Sequence, residues 1–317
     1  MGANNILVIK HGAFGDFVQA LGAMRAIRMA HKGARITLLT TKPFVELAGK
    51  SGYFNSVVVD PRPKWYDFPR LFMLKRFMNH GKFSRVYDLQ NSERTGLYMA
   101  FFAKNPEWSG IAFGASHRIA DDEARKQMHV FDALRAQLAI AGVNGVTVDN
   151  LAWIPDDQFT NIPRPFVLIA AGSSPQHQKK RWPTARYVAL CQWLGEKGIT
   201  PVLIGTKDDA AVNDMISMEC PKAMDMTGKT SLFDIAGMAR YAKAAVGNDT
   251  GPVQMIGPTG CKTLGLYPGF SNPARHGPLG ANVVTIQRDV MEDITLEEVK
   301  AQLEKILELP AVKAPAA

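Results

Sequence analysis

Three short stretches carry residue types and spacings suited to phosphate and proton chemistry. In "ILVIKHGAFGD" (6–16) an apolar run, Ile6 to Ile9, meets a glycine turn, and Asp16 follows where a helix begins. A strand, a glycine turn and a helix start make a phosphate cradle, because the first amides of a helix have no partner within it and attract anions. A carboxylate at that mouth repels a diphosphate, and the stretch lacks the G-x-G-x-x-G spacing of dinucleotide binders. This first loop is therefore not the nucleotide site, and Asp16 taken alone reads as a helix cap. In "VGNDTGP" (246–252) a strand again ends at a helix start. There the amides of Thr250 and Gly251 face outward, Gly251 admits an anion close to the backbone, and Thr250 adds a hydroxyl. Asp249 either caps the helix or accepts hydrogen bonds from sugar hydroxyls. In "AAGSSPQHQKKRWP" (170–183) Ser173 and Ser174 occupy a turn, and Lys179, Lys180 and Arg181 follow. Cations opposite a nest of amides are what a diphosphate needs, whereas by themselves they read as a solvated basic loop.

These stretches need elements to hold them. Ile6–Ile9, Arg35–Leu39, Ser56–Val59 and "SRVYDLQ" (84–90) read as strands, with Gln19–Met29 as a helix between the first two. Short apolar runs alternating with helical patterns mean parallel strands joined by crossovers. "PDDQFTNIPRPF" (155–166) holds three prolines and no apolar period, which marks a linker. The pattern then restarts: strands at 166–172, 200–205, 244–249 and 263–269, and helices at 184–197, 231–243 and 250–260. Pro183 suits the first turn of the helix over 184–197, and Gly198 suits the residue past its end. "TLEEVKAQLEKILEL" (295–309) closes the chain as an amphipathic helix and is a candidate to pack back on the first half. The expected fold is α/β, with two Rossmann-like doubly wound domains, 1–157 and 158–317, facing a central cleft. Such sheets bind ligands at the carboxyl ends of their strands, so the cleft is the expected site.

Bulk composition narrows the class. At 317 residues two domains are the default, and 46% hydrophobic with 21% charged residues suits a folded globular chain. The three cysteines (Cys191, Cys220, Cys261) form no C-x-x-C pair, and the seven histidines show no ligand spacing. Disulfides and a metal are therefore not expected, and a reducing compartment is. The N-terminal apolar run is too short for a signal peptide, and no stretch is long enough to span a bilayer, so the expected location is cytoplasmic. Residues 1–157 hold 20 Lys and Arg against 14 Asp and Glu, and residues 158–317 hold 17 against 15. An anionic partner would meet the first half, although a basic surface more commonly serves solubility.

"KRWP" after a Gly-Ser turn, "GNDTGP" after a strand and the opening "IKHGAFGD" together resemble glycosyltransferase family 9, the lipopolysaccharide heptosyltransferases. "YDLQNSERT" (87–95), "TGKTSL" (227–232) and "NPARHGP" (272–278) add to the resemblance, which runs from Ile6 to about Leu309. It implies a GT-B fold, ADP-heptose on the second domain, an anionic lipid A–Kdo or inner-core glycolipid on the first, and inversion at the anomeric carbon without metal or cofactor. In that frame Asp16 matches the family's catalytic aspartate, the base that takes the acceptor hydroxyl's proton. A helix N-terminus favours its ionised form, and closure around it disfavours that form. Lys180 matches the lysine on the donor phosphate, with Lys179 as the alternative one position away. Thr250 and Gly251 match the diphosphate contacts, and Asp249 the aspartate near the donor sugar. Asp208 or Asp209, in "GTKDD" (205–209), stands where the family often has a glutamate for the ribose. Lys10 and Arg94 are candidates for acceptor phosphates, or else ordinary surface charges. Gln254 stands where the family usually has a histidine near the diphosphate, and the loop in "YPGFSNPAR" is one residue longer. Both departures lie on the donor side.

Two rival classes fit parts of the pattern. A nicotinamide or flavin oxidoreductase shares the doubly wound, basic character but needs the missing glycine fingerprint. A binding-only protein for nucleotide sugars or glycolipids would keep the fold without needing Asp16. No nucleic-acid partner is expected. Between Arg62 and Arg85 there are seven Lys and Arg against one acid, Asp67, interleaved with Trp65, Tyr66, Phe68, Phe72, Phe77 and Phe83. This mixture suits peripheral contact with the inner face of a membrane. The competing reading is a core helix using Leu71, Leu74 and Met78, with Lys75 and Arg76 in solvent.

Overall fold

The computed structural model describes residues 4–156 and 161–308. The chain divides into two compact units, with the boundary between Asp149 and Asn150. That is earlier than the proline-rich stretch suggests, and the reason is specific. Arg240 donates to the carbonyls of Leu151 and Ile154 and lies 3.6 Å from Asp156, while Trp153 packs edge-on to Phe233. Residues 151–156 thus belong to the second unit; positions 157–160 of the stretch lie outside the described residues.

The first unit contains strands β1 (Asn5–Ile9), β2 (Arg35–Thr40), β3 (Ser56–Val59), β4 (Phe83–Asp88), β5 (Glu107–Gly110) and β6 (His117–Arg118). Its helices are α1 (Phe14–Ala30), α2 (Val45–Lys50), α3 (Phe68–His80), α4 (Glu93–Leu97), α5 (Glu123–Gln127) and α6 (Val130–Ile140). All strands are parallel, in the order β3-β2-β1-β4-β5-β6. Ile6 to Ile9 are wholly buried, as expected for a central strand covered on both faces. Helix α1 is buried from Phe17 through Met24 and so lacks a clear polar stripe. Gly22 lets the 147–149 segment cross it, since a Cβ there would lie 2.2 Å from the Thr147 carbonyl.

The second unit repeats the plan with β7 (Phe166–Ala170), β8 (Thr200–Leu203), β9 (Met224–Asp225), β10 (Ala244–Asn248), β11 (Thr263–Pro268) and β12 (Val283–Arg288). Helices α7 (Thr184–Glu196), α8 (Ala210–Glu219), α9 (Leu232–Ala239), α10 (Gly251–Ile256), α11 (Pro273–His276) and α12 (Leu296–Glu308) connect and cover them. The order is β12-β11-β10-β7-β8-β9, again all parallel. Pro183 sits at the N-cap of α7 rather than inside it, and Gly198 follows with φ +71°. The closing helix packs within the second unit. Val299, Leu303 and Ile306 of α12 pack with Leu190, Leu194 and Leu264 in the second unit's own core. Its amphipathic stripe is used up there, and position 309 lies outside the described residues. The three cysteines are free and buried.

Candidate functional site

Each sheet changes winding direction between its first and fourth strands, at β1 and β4 in the first unit and at β7 and β10 in the second. Open α/β sheets bind ligands beyond the carboxyl ends of such strand pairs. The singled-out motifs fall at these two places.

At the first switch point the chain leaves β1 through Lys10, His11 and Gly12. Gly12 has φ +121°, and a Cβ on it would lie 2.7 Å from the Phe44 ring, so only glycine fits. Asp16 is half-buried in the first turn of α1. It is not the cap: Ala13 holds that position and supplies no side-chain bond. An acid in a first turn is favoured by the helix dipole. Lys10 is 3% exposed, and its ammonium donates to the Leu89 carbonyl at 3.2 Å. Burial lowers its pKa, while Asp16 and Asp88 pull it back up, so both carboxylates lie within its field. Lys10 is therefore not an ordinary surface charge.

Two carboxyls absent from the sequence reading organise this end of the sheet. Asp60, just past β3, accepts from the Arg62 amide (2.7 Å) and from the Tyr98 hydroxyl (2.8 Å). The His11 Nε2 lies 2.8 Å from it, within ion-pair range but outside hydrogen-bond angles. Burial pushes Asp60 upward, but these donors outweigh it and hold the carboxyl below its usual range. Asp88, the last residue of β4, is wholly buried. Its Oδ1 accepts from the Gln90 and Asn91 amides, and its Oδ2 has no hydrogen-bond partner among the described residues. Burial dominates here and raises the carboxyl to about 6, against the bonds from those two amides. Arg94 is half-buried and donates to the Pro63 carbonyl at 2.9 Å, tying α4 to the loop after β3.

The second switch point has the opposite character. Lys180 Nζ lies 2.6 Å from Asp249 Oδ2, and the Ser271 hydroxyl donates to the same oxygen at 2.9 Å. Lys179 is exposed, so of the two neighbours Lys180 is the one that reaches the strand end. Thr250, not Asp249, is the N-cap of α10, with its hydroxyl turned back to the Asn248 carbonyl, and Gly251 opens the helix. Arg181 holds the turn before it, donating to Ser173 Oγ (3.1 Å) and Ser173 O (2.7 Å). Ser173 is buried and its hydroxyl donates a hydrogen bond to the His177 carbonyl at 3.0 Å, while Ser174 is exposed.

Asp209 is buried. Its Oδ2 accepts from the Thr206 amide and hydroxyl, so it shapes the 205–209 turn, while Asp208 faces solvent. Gly172 is required beside it, since a Cβ there would collide with the Asp209 carboxylate. Gln254 is likewise buried and donates to the His276 carbonyl at 2.8 Å, bracing the "NPARHGP" segment.

The residue that locks this end together was not singled out in the sequence. Asn248 is fully buried; its Oδ1 accepts from the Trp182 amide (3.1 Å) and the Tyr187 hydroxyl (2.9 Å). Its Nδ2 donates to the carbonyls of Ala171 (2.8 Å) and Gly172 (3.1 Å). The "KRWP" turn, the Gly-Ser turn and the "GNDTGP" turn thus meet on one amide.

The geometry is that of two doubly wound units, one with carboxylates and one with a lysine–aspartate pair at its switch point. Solved structures share this fold along nearly the whole chain. ADP-heptose lipopolysaccharide heptosyltransferase II of E. coli superposes with a TM-score of 0.71 at 20% identity, covering 96% of this chain and 98% of that one. A family 9 glycosyltransferase of Veillonella parvula gives 0.78 at 19%, covering 96% and 97%. E. coli heptosyltransferase WaaC with ADP gives 0.73 at 18%, covering 95% and 99%. At these identities the likeness establishes the GT-B architecture. No curated protein sequence matches at a significant level. The model of glycosyltransferase family 9 (heptosyltransferase), however, matches residues 72–305. This span takes in the "KRWP" and "GNDTGP" turns, the whole second sheet and strands β4 to β6 of the first, and on it the chain belongs to glycosyltransferase family 9.

Proposed function

We propose that the protein is an inverting glycosyltransferase that moves heptose from ADP-heptose onto the inner core of a lipopolysaccharide acceptor. The observation that carries the proposal is Lys180 held 2.6 Å from Asp249 beside the start of α10, at a switch point, in a chain of this family. On this reading the second unit takes the donor. Lys180 meets the diphosphate, Thr250 and Gly251 line its approach, and Asp249 is released from the ammonium to accept from sugar hydroxyls. The first unit takes the acceptor. Asp16 removes the proton of its hydroxyl while that oxygen forms a bond to the anomeric carbon. The bond from that carbon to the diphosphate breaks on the opposite face, and the configuration inverts. The buried Lys10 ammonium and the Asp16 carboxylate lie within each other's field and attract one another. Charge building on the departing diphosphate falls to Lys180 and Arg181, with no metal in the step. WaaC is described with ADP and with a fluorinated ADP-heptose, and this supports an adenine diphosphate donor. The acceptor is an anionic glycolipid, met at the surface of the membrane that carries it.

A thermal-shift panel of ADP, UDP, GDP, CDP and NAD tests the donor. A ligand that binds only the folded state raises the midpoint by mass action. ADP alone should raise it. A response confined to UDP, GDP or CDP would replace the donor, and one confined to NAD would end the glycosyltransferase reading.

A further inference from the structure

Among the large apolar side chains that the first unit exposes, five come from three segments that are distant in sequence and joined by contacts. Trp65 (80% exposed), Phe68 and Phe72 come from the loop after β3 and the start of α3, Leu97 from the end of α4, and Phe113 (89% exposed) from the loop after β5. The segments are joined. Arg94 of α4 donates to the Pro63 carbonyl, and Ala112 lies against Gly96. Asn79 of α3 donates to the Phe101 carbonyl and accepts from the Ala103 amide. Nor is this exposure a leftover of poor packing. Leu74 and Met78, on the opposite side of α3, are buried in the core with Val86 and Trp108. The helix therefore satisfies its core with one face and presents rings with the other.

Cations surround the rings. Arg62, Lys64, Arg70, Lys75, Arg76 and Arg118 are all exposed. Arg118 lies 5.9 Å from the Phe113 ring centre, and Lys64 lies 5.6 Å from that of Tyr66. The one acid between Arg62 and Arg85 that accompanies them, Asp67, caps α3 through the Arg70 amide and pairs with the Arg70 guanidinium at 3.2 Å, which leaves the other cations to face solvent. Exposed aromatics set among cations fit the interfacial layer of a bilayer, where rings enter the headgroup region and cations meet lipid phosphates. A protein partner of this chemistry would need an acidic rim around an apolar centre, which an anionic lipid surface supplies without shape matching.

We infer that Trp65, Phe68, Phe72, Leu97 and Phe113, with the cations around them, form a bilayer-docking rim for anionic lipid. The rim deepens the function proposed above and rests on it for the acceptor's lipid nature. Its loops follow β3, β4 and β5, so it stands at the same end of the sheet as Lys10, His11 and Asp16. Docking there turns the first switch point toward the headgroups. Asp60 couples the two, because it bonds the Arg62 amide of the rim loop and faces His11.

The test is sedimentation with vesicles of phosphatidylcholine alone and of phosphatidylcholine with phosphatidylglycerol. Neither contains a sugar lipid, so binding reads the rim and not an acceptor pocket. The native protein should sediment with the anionic vesicles only, and less so as salt rises. The double variant W65S/F113S, drawn from two separate segments, should lower binding at least about tenfold. K75E/R76E should lower it by roughly 30-fold or more, from the loss of two cations. Both variants should keep the native melting midpoint and its response to ADP. Absence of native binding to anionic vesicles, or equal binding by both variants, overturns the rim. So does a native dimer that W65S/F113S converts to monomer, since the rings would then cover a second copy. Vesicle binding that follows this pattern in a protein indifferent to every nucleotide would sustain the rim and sink the donor assignment.

Discussion

The two switch points share one strand order and carry opposite chemistry. In the first unit the carboxyl ends of β1 and β4 gather Asp16, Asp60 and Asp88 around a buried Lys10 and a buried His11. In the second unit the ends of β7 and β10 hold Lys180, Arg181 and hydroxyls beside a half-buried carboxylate, Asp249, with the buried Asp209 3.9 Å from Arg181. One arrangement suits taking a proton, and the other suits holding a diphosphate. The difference teaches that the fold decides where a ligand goes and the side chains decide which ligand it is. The supporting structure differs too. A fully buried amide, Asn248, fixes the second site, whereas the first is held through ionisable groups whose charge depends on pH.

The sharpest break of this contrast is Asn248→Ala. It leaves the Trp182 amide, the Tyr187 hydroxyl and two carbonyls without their partner in the interior. The expected loss is about 4 kcal/mol, read from the urea midpoint with an unchanged slope. A variant as stable as the native protein would mean the second site is not held by that amide.

Asp88→Asn probes the ionisable support of the first site. In the unfolded chain an aspartate ionises near the model value of 3.8, and here burial raises it to about 6. The fold therefore has the full benefit of the neutral carboxyl below about pH 4 and loses it as pH rises through about 6. The asparagine variant has no such loss. Its stability relative to the native protein should grow by about 3 kcal/mol between about pH 4 and pH 8, followed by denaturation across pH. Asp60 has the opposite sign. Its depressed carboxyl contributes above the ordinary aspartate range and ceases to as pH falls below it, so Asp60→Asn should matter least in acid. Equal pH profiles for the two variants would erase the distinction.

Asp16→Asn keeps the size of the side chain and removes the base. Transfer should fall at least about 100-fold, with ADP affinity unchanged, since the change lies in the unit assigned to the acceptor. Turnover near the native rate, on an acceptor shown to be correct, would remove Asp16 from the mechanism and leave the proton to a different base. Lys180→Ala should do the reverse. ADP affinity should weaken by about 2 kcal/mol while adenosine binds as before, and Lys179→Ala should leave both unchanged. Calorimetry of the two variants decides between the neighbouring lysines.

The sequence by itself determined the alternation of elements and the three turns. Continuous apolar runs such as Ile6–Ile9 and Phe166–Ala170 mark strands buried on both faces, and Gly12, Gly172 and Gly251 mark close backbone approach. It did not mark β6, which has two residues, or β12, whose burial is partial, because neither carries a run long or apolar enough to stand out. Nor did it reveal which polar residues would become hubs. Asp60, Asp88 and Asn248 are ordinary strand-end residues in sequence. Asp60 meets Tyr98 38 positions away, and Asn248 meets Ala171 77 positions away. Parallel strands are joined by long crossovers, so the partners of a strand-end side chain come from other strands and leave no local pattern. The same holds for the direction of side chains. The residues from Phe68 to Met78 read equally as core or surface until packing put Leu74 and Met78 inward and Phe68 and Phe72 outward. Lys10 read as a surface cation until the sheet placed its ammonium on the Leu89 carbonyl. Local pattern sets the elements, whereas burial and charge pairing exist only once elements far apart in the chain are packed together.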